Sequence, residues 1–223
     1  MPMIRRSGGT SKVIRVMLCD DHALIRRGIR DTLCDAQDIE VVGEAGDYGE
    51  LRGLMREHPC DVLVLDINMP GRSGLDVLHA LKDEGSAVRV LVVSMYPEDQ
   101  YAIRALRAGA FGYVNKGGDP ALIVAAVRTV AQGRKYVTPE IAQMLVESLT
   151  TPDSATAHDK LSDREMQTLV MIASGKRLSD IAEELTLSPK TVSVYRARVL
   201  EKLQLANNSE LTVYAIRNGL VGS

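Results

Sequence analysis

Between residues 13 and 134, short β-branched runs alternate with stretches of helical apolar spacing, and no other feature of the chain restricts its fold as tightly. A strand that feeds a helix and then a second strand of the same sheet runs parallel to it, with the helix packed on one face. The strand segments are VIRVMLC (13–19), IEVVGE (39–44), DVLVLD (61–66), VRVLVVS (88–94) and FGYVNK (111–116). Amphipathic segments lie near 22–34, 48–57, 74–83, 97–108 and 119–132. The third and fourth strand segments are apolar nearly throughout, as strands covered on both faces must be. The pattern predicts an α/β fold, a five-stranded doubly wound parallel sheet.

A helical segment at 138–149 follows, and then TTPDSATAHDK (150–160), where the apolar period is lost and a domain boundary is expected. Beyond 161 only helical patterns remain, with visible start signals. Ser162 and Glu165 have the spacing of a capping box, Ser179 is read as the cap of a second helix, and Ser188 with Pro189 supplies a cap and a proline at the first helical position. A last helix runs from about 208 to 218 and stops at Gly219. The expected organisation is a mobile lead-in (1–12), the sheet domain (13–134), a helix and linker (135–160) and a small all-α domain (161–223).

Composition removes several alternatives. With 45% apolar and 25% charged residues the chain can bury real cores. Aromatic residues make up 4% and Trp is absent, too few rings for a base-stacking platform on single-stranded nucleic acid. Apolar runs such as 121–127 fall far short of the ~20 residues of a membrane span. The lead-in MPMIRRSGGTSK is basic without an apolar core, so a cytoplasmic location with no membrane partner is expected. Cys19, Cys34 and Cys60 are isolated, which argues against a disulfide framework or zinc cluster; buried thiols are expected. Residues 159–223 hold nine Lys and Arg against eight Asp and Glu, so any nucleic-acid site must be a local basic face.

Open parallel sheets bind ligands at the carboxyl ends of their strands. Asp20 and Asp21 follow the first strand segment there, Asp66 ends the third, Ser94 the fourth and Lys116 the fifth. Singly, each acid reads as a helix cap and the lysine as a solvated side chain. Together, three carboxylates on one rim repel one another unless a hard cation lies among them, and Mg²⁺ with oxygen ligands fits. With Mg²⁺ and Lys116 beside it, the Asp66 carboxylate could attack a phosphoryl group and hold it as an acyl phosphate, with a hydrogen bond from Ser94.

In the helical tail, the third helix follows a short second one at helix-turn-helix spacing. On a helical wheel Val192, Tyr195, Val199 and Leu203 share a stripe and face the core. The opposite side carries Lys190, Val194, Ala197 and Glu201, flanked by Ser193 and Arg198. Such a face suits a major groove, with small and apolar residues at base edges and Lys190, Arg196, Arg198 and Lys202 at phosphates. On charge alone, an ordinary solvated helix face explains the pattern equally well.

Asp20-Asp21, Asp66 in VLVLDINMPGRSGLD, Ser94 in LVVSM, and Tyr113 and Lys116 in GYVNK resemble the receiver domain of two-component response regulators, which is flavodoxin-like. The segment LSDREMQTLVMIASGKRLSDIAEELTLSPKTVSVYRARVLEKLQLANNSELTVYAIRNGL resembles a LuxR-type helix-turn-helix domain across 161–220. The combination is similar to the NarL/LuxR (FixJ) response regulators, and within them to the UvrY/GacA group. The resemblance implies that Asp66 accepts phosphate from a sensor histidine kinase, and that Asp20, Asp21, Asp66 and the Asn68 carbonyl ligate Mg²⁺. Lys116 would pair with the phosphoryl oxygens, Ser94 and Tyr113 would form a switch pair, and Pro70 and Gly74 would shape the loop. In the tail it implies major-groove contact through Lys190, Thr191, Ser193, Val194, Arg196, Ala197, Arg198 and Lys202. It also implies homodimers on double-stranded DNA, aided by the 208–218 helix, with RNA polymerase a candidate partner and no enzyme activity beyond slow self-phosphorylation and self-dephosphorylation. Two positions depart from the usual receiver: Gly117 replaces the common proline after the lysine, and Met95 replaces a small residue after Ser94, which predicts slow self-hydrolysis.

Two other classes compete. A phosphohydrolase using Asp66 would need a second aspartate two positions on, where this chain has Asn68. A DNA-binding protein whose receiver acts only through protein contacts would leave the full acidic site without a purpose.

Overall fold

Leu63 and Leu65 face one side of the central strand and Val62 and Val64 the other, and all four are buried. That strict two-residue alternation of apolar side chains, with none left for water, requires cover on both faces. A computed structural model describes residues 13–69, 71–96, 98–150 and 157–221, so the lead-in, Pro70 and most of the linker lie outside the described residues.

The elements follow the order β1 (Ile14–Cys19), α1 (Ala23–Cys34), β2 (Ile39–Ala45), α2 (Tyr48–Glu57), β3 (Val62–Leu65), α3 (Gly74–Asp83), β4 (Arg89–Ser94), α4 (Glu98–Ala108), β5 (Gly112–Asn115) and α5 (Pro120–Ala131). All pairings are parallel and the sheet order is β2-β1-β3-β4-β5. The expected five-stranded doubly wound sheet is therefore found. Its winding reverses between β1 and β3, which opens a crevice at their carboxyl ends. One face packs Val16, Leu18, Val64, Leu91 and Val93 with Ile29, Leu33, Ile123 and Val127 of α1 and α5. The other packs Met17, Leu63, Leu65 and Val92 with residues of α2, α3 and α4. Emptying such a position, as in Leu63→Ala, typically costs about 2–5 kcal/mol.

Beyond α6 (Pro139–Thr150) a short 3₁₀ turn (Ala157–Lys160) leads to α7 (Asp163–Ala173), α8 (Leu178–Glu184), α9 (Pro189–Leu203) and α10 (Asn208–Arg217). The Ser162–Glu165 capping box forms in both directions, Ser188 caps α9 ahead of Pro189, and Gly219 takes a positive φ just past α10. Ser179 does not cap α8: Arg177 holds that position, and the Ser179 hydroxyl donates to Asp180 instead. The cysteine expectation holds only for Cys19, because Cys34 is exposed and Cys60 is half-buried.

The two parts share one continuous apolar cluster, in which Leu75, Tyr101 and Ala105 join Leu161, Met166 and Leu169. Polar clasps flank it. Arg104 of α4 donates to the carbonyls of His158 (2.5 Å) and Leu161 (3.0 Å) and lies 3.5 Å from the Asp163 carboxylate. Arg164 of α7 donates to the carbonyls of Met69 (2.7 Å) and Gly71 (2.9 Å) in the loop after β3.

Candidate functional site

β1 ends at Cys19 and β3 at Leu65, so Asp20 and Asp66 are the first residues beyond two adjacent strands and emerge side by side at the crevice. Lys116, just past β5, reaches across to both: its Nζ is 2.7 Å from Asp20 Oδ2 and 2.7 Å from Asp66 Oδ2. All three side chains are almost wholly buried. Burial pushes the Asp66 carboxyl up to about 6, with Asp20 adding to the rise and Lys116 opposing it. Desolvation thus outweighs the ion pair at this site.

Neighbouring groups engage Asp20 and Asp21. The His22 backbone N–H donates to Asp20 Oδ1 at 2.9 Å, the His22 ring lies 2.7 Å from Asp21 Oδ1, and an Arg26 guanidinium N–H donates to the Asp20 carbonyl. Asp66 Oδ1 and Asn68 Oδ1 are buried without a hydrogen bond of ordinary geometry. Ligand atoms of Asp20, Asp21, His22 and Asp66 all lie within 4.8 Å of one another, compatible with sharing one ion. Oxygen donors dominate this set, as a hard divalent cation requires. His22 is a member that sequence reading passed over, although its place directly after the acid pair was a visible signal.

Gly74 sets the tightness of the loop after β3. A Cβ on it would sit 2.0 Å from the Asp66 carbonyl oxygen, so the start of α3 presses directly on the Asp66 backbone. Only a residue without Cβ fits there. The Ser73–Asp76 capping box then fixes the helix that follows.

Ser94, at the end of β4, is buried, and its hydroxyl accepts from Tyr96 N at 3.2 Å. The Tyr113 ring is fully buried, its hydroxyl donates to the Tyr96 carbonyl at 2.7 Å, and Asn115 Nδ2 donates to the same oxygen at 3.1 Å. Ser94 and Tyr113 thus both engage Tyr96, and a side-chain hydrogen bond links the two directly. Met95 points outward and is 63% exposed. The Lys116–Gly117 peptide is trans.

On α9, Val192, Val199 and Leu203 are buried as the helical wheel requires, whereas Tyr195 is only half-buried. Lys190, Ser193, Val194, Ala197 and Arg198 are exposed along one side, and Thr191 is half-buried beside the Ser188 cap. Two residues of the basic set are engaged within the domain. Arg196 donates to Asn208 Oδ1 at 2.6 Å, and Lys202 Nζ lies 2.6 Å from the buried Glu165 carboxylate, which is held below its usual range in part by that pairing. No described helix is long and apolar enough to cross a membrane.

Comparison with known proteins places both halves. The family "Response regulator receiver domain" matches residues 16–128, and "Bacterial regulatory proteins, luxR family" matches 159–215. The response regulator GacA of Pseudomonas protegens is 40% identical over 209 residues, covering 94% of this chain and 98% of the relative. The response regulator UvrY of Escherichia coli K12 is 38% identical over 209 residues, covering 93% and 96%. Among solved structures, RcsB of Salmonella enterica serovar Typhimurium, bound to promoter rprA in the presence of the phosphomimetic BeF3-, is 25% identical with a TM-score of 0.61, covering 90% of this chain and 97% of that one. A LuxR-family two-component response regulator from Aurantimonas is 36% identical with a TM-score of 0.58, covering 62% and 99%. Both family matches and the identity over nearly the full length of these relatives show that the chain belongs to the response regulators that join a receiver domain to a LuxR-type DNA-binding domain.

Proposed function

We propose that this chain is a phosphorylation-gated regulator of transcription, in which Asp66 takes a phosphoryl group from a sensor histidine kinase and the α9 face reads double-stranded DNA. The observation that carries the reading is the Asp66 carboxylate, buried against Lys116 at 2.7 Å with its second oxygen free of any hydrogen bond of ordinary geometry. That oxygen attacks phosphorus: an O–P bond forms as the P–N bond of phosphohistidine breaks, and the freed imidazole nitrogen takes up a proton. Lys116 offsets negative charge on the phosphoryl oxygens, and Ser94 and Tyr113 report its arrival through Tyr96. Asp20, Asp21, Asp66 and the Asn68 carbonyl would hold Mg²⁺, which supplies further charge neutralisation at the reacting oxygens. Burial keeps the metal-free Asp66 carboxyl near 6 and a cation bound beside it would lower that value, so acid should oppose phosphorylation most where Mg²⁺ is scarce.

In the DNA-binding half, Ser193, Val194 and Ala197 would meet base edges, while Lys190, Thr191 and Arg198 contact phosphates, with Arg196 and Lys202 joining only by leaving their present partners. Dimerisation through α10 on inverted half-sites completes the reading, and RNA polymerase would be met on the promoter.

Selection of bound DNA from a random pool, run with untreated, acetyl-phosphate-treated and Asp66→Asn protein, tests this. Enrichment of one palindromic site that strengthens with acyl phosphate on Asp66 is expected. Equal binding in all three samples, or added mass elsewhere than Asp66, would leave a regulator that works without phosphorylation.

A further inference from the structure

We propose that Arg164, a residue of the DNA-binding domain, is a positioning residue for the receiver's acidic site, and that the docked domain opposes loading of that site through it. The inference rests on the reading that Asp66 accepts phosphate, and extends it across the domain boundary.

Arg164 sits in the first turn of α7 and is 5% exposed. Its guanidinium donates to Met69 O at 2.7 Å, Gly71 O at 2.9 Å and Gln167 Oε1 at 2.8 Å. These hydrogen-bond partners are all neutral, and the carboxylates of Asp76 and Asp163 stabilise the guanidinium from nearby without bonding to it. The two carbonyls belong to the loop that leaves Asp66: Met69 directly follows Asn68, whose carbonyl is a proposed ion ligand, and Gly71 lies two residues further on. Gly74 presses against the Asp66 carbonyl from one side, and a pull at Met69 acts three residues from the acid. A force on Arg164 is therefore a force on the acidic site.

A plain docking clasp is the simpler account, and a second observation argues against it as the whole explanation. In the docked arrangement Ser193, Val194, Ala197 and Arg198 stay exposed, as do Val213 and Ile216 on the outer side of α10. Docking covers neither the base-reading side chains nor the outer face of α10. It does grip the loop after Asp66.

The sign follows from charge. An acyl phosphate carries about two negative charges where the carboxylate carried one, while a divalent ion adds two positive ones, so the loaded site is more positive by about one unit. It also draws the Asn68 carbonyl toward the ion. Both changes compete with a guanidinium pulling on neighbouring carbonyl dipoles of one short loop. By thermodynamic reciprocity, whatever loading costs docking, docking costs loading.

The test compares full-length wild-type protein with Arg164→Gln, Arg164→Lys and Arg104→Ala. Mg²⁺ affinity is read by NMR titration of backbone amides, BeF3- uptake by fluorine NMR, and Asp66 labelling by mass spectrometry with acetyl phosphate. Arg164→Gln should bind Mg²⁺ at least about fivefold more tightly and label correspondingly faster. Arg164→Lys should fall between it and wild type, and Arg104→Ala, which opens the same interface away from the loop, should move the same way by less. An Arg164→Gln protein that melts cooperatively yet binds Mg²⁺ within twofold of wild type, or more weakly, overturns the proposal. If wild-type protein takes no phosphoryl group at Asp66 while Arg164→Gln still tightens Mg²⁺, the positioning role stands and the phosphorylation reading falls.

Discussion

Helices α7 and α9 belong to the same small domain and have similar apolar content, yet they are buried in opposite ways. In α7 every residue from Arg164 to Ile172 is buried, polar ones included, while α9 buries only Val192, Val199 and Leu203. An amphipathic stripe explains α9: one side packs on α7 and the other meets solvent. It cannot explain α7, which is packed by α8, α9 and α10 and meets the receiver as well where Arg164 reaches the loop after β3. Burial of Arg164 thus involves both domains, whereas Ser193 and Val194 lie exposed on the small one. The comparison teaches that the domain's central helix is enclosed while α9 keeps one face open.

The sharpest way to break this contrast is a matched pair of truncations. Leu169→Ala in α7, at a site with no exposure, should cost about 2–5 kcal/mol of stability, read by denaturant unfolding. Val194→Ala in α9 should cost under about 0.5 kcal/mol and instead weaken DNA binding. Equal destabilisation by both would erase the distinction.

The acidic site gives the next largest effect. Its Asp66 carboxyl is near 6 when folded, above its unfolded value of 3.8, so the folded chain binds more protons between those limits and loses stability as pH rises through them. At neutral pH the full penalty is present. Asp66→Asn should therefore stabilise the protein by about 1–3 kcal/mol at pH 7 and have little effect near pH 4, measured by thermal melts across pH.

Basic residues on α9 sharpen the comparison further. Arg198→Ala should lower the slope of log affinity against log salt by about one, because a phosphate contact is lost. Lys202→Ala should leave that slope nearly unchanged and destabilise the fold by up to about 1 kcal/mol, since its half-open ammonium serves Glu165. The smallest expected change is at Met95. Met95→Ala should release labelled phosphate faster than Met95→Leu, by under about tenfold, because a side chain so exposed shields the acyl phosphate only partly. Faster loss from the leucine variant would end the steric account.

Local signals in the chain carried much of this. Two-residue alternation in VLVL and the carboxyl-end placement of Asp20, Asp66 and Lys116 made the sheet and its crevice readable, because each depends on residues near in sequence or on a general rule of parallel sheets. Ser162 with Glu165, and Ser188 with Pro189, likewise announced two helices. What escaped was set by long-range packing. Ser179 looks like a cap, but the chain turns into α8 two residues earlier, and Cys34 looks apolar but ends a helix on its open side. Lys202 and Arg196 read as free cations because their partners, Glu165 and Asn208, lie 37 and 12 residues away. Arg164 gave no signal of its own toward the receiver, since its partners there are backbone carbonyls, which every residue possesses.

The contact between Gly74 and the Asp66 carbonyl has an outcome for anyone who scans this chain by exhaustive substitution. A methyl group there has nowhere to go but into the peptide that carries the acid, so even alanine would shift Asp66 while leaving every charged or hydroxylic side chain intact. Scored by reporter output alone, position 74 would sort with the aspartates and the lysine, a residue without functional atoms that imitates a reactive one by holding its ground.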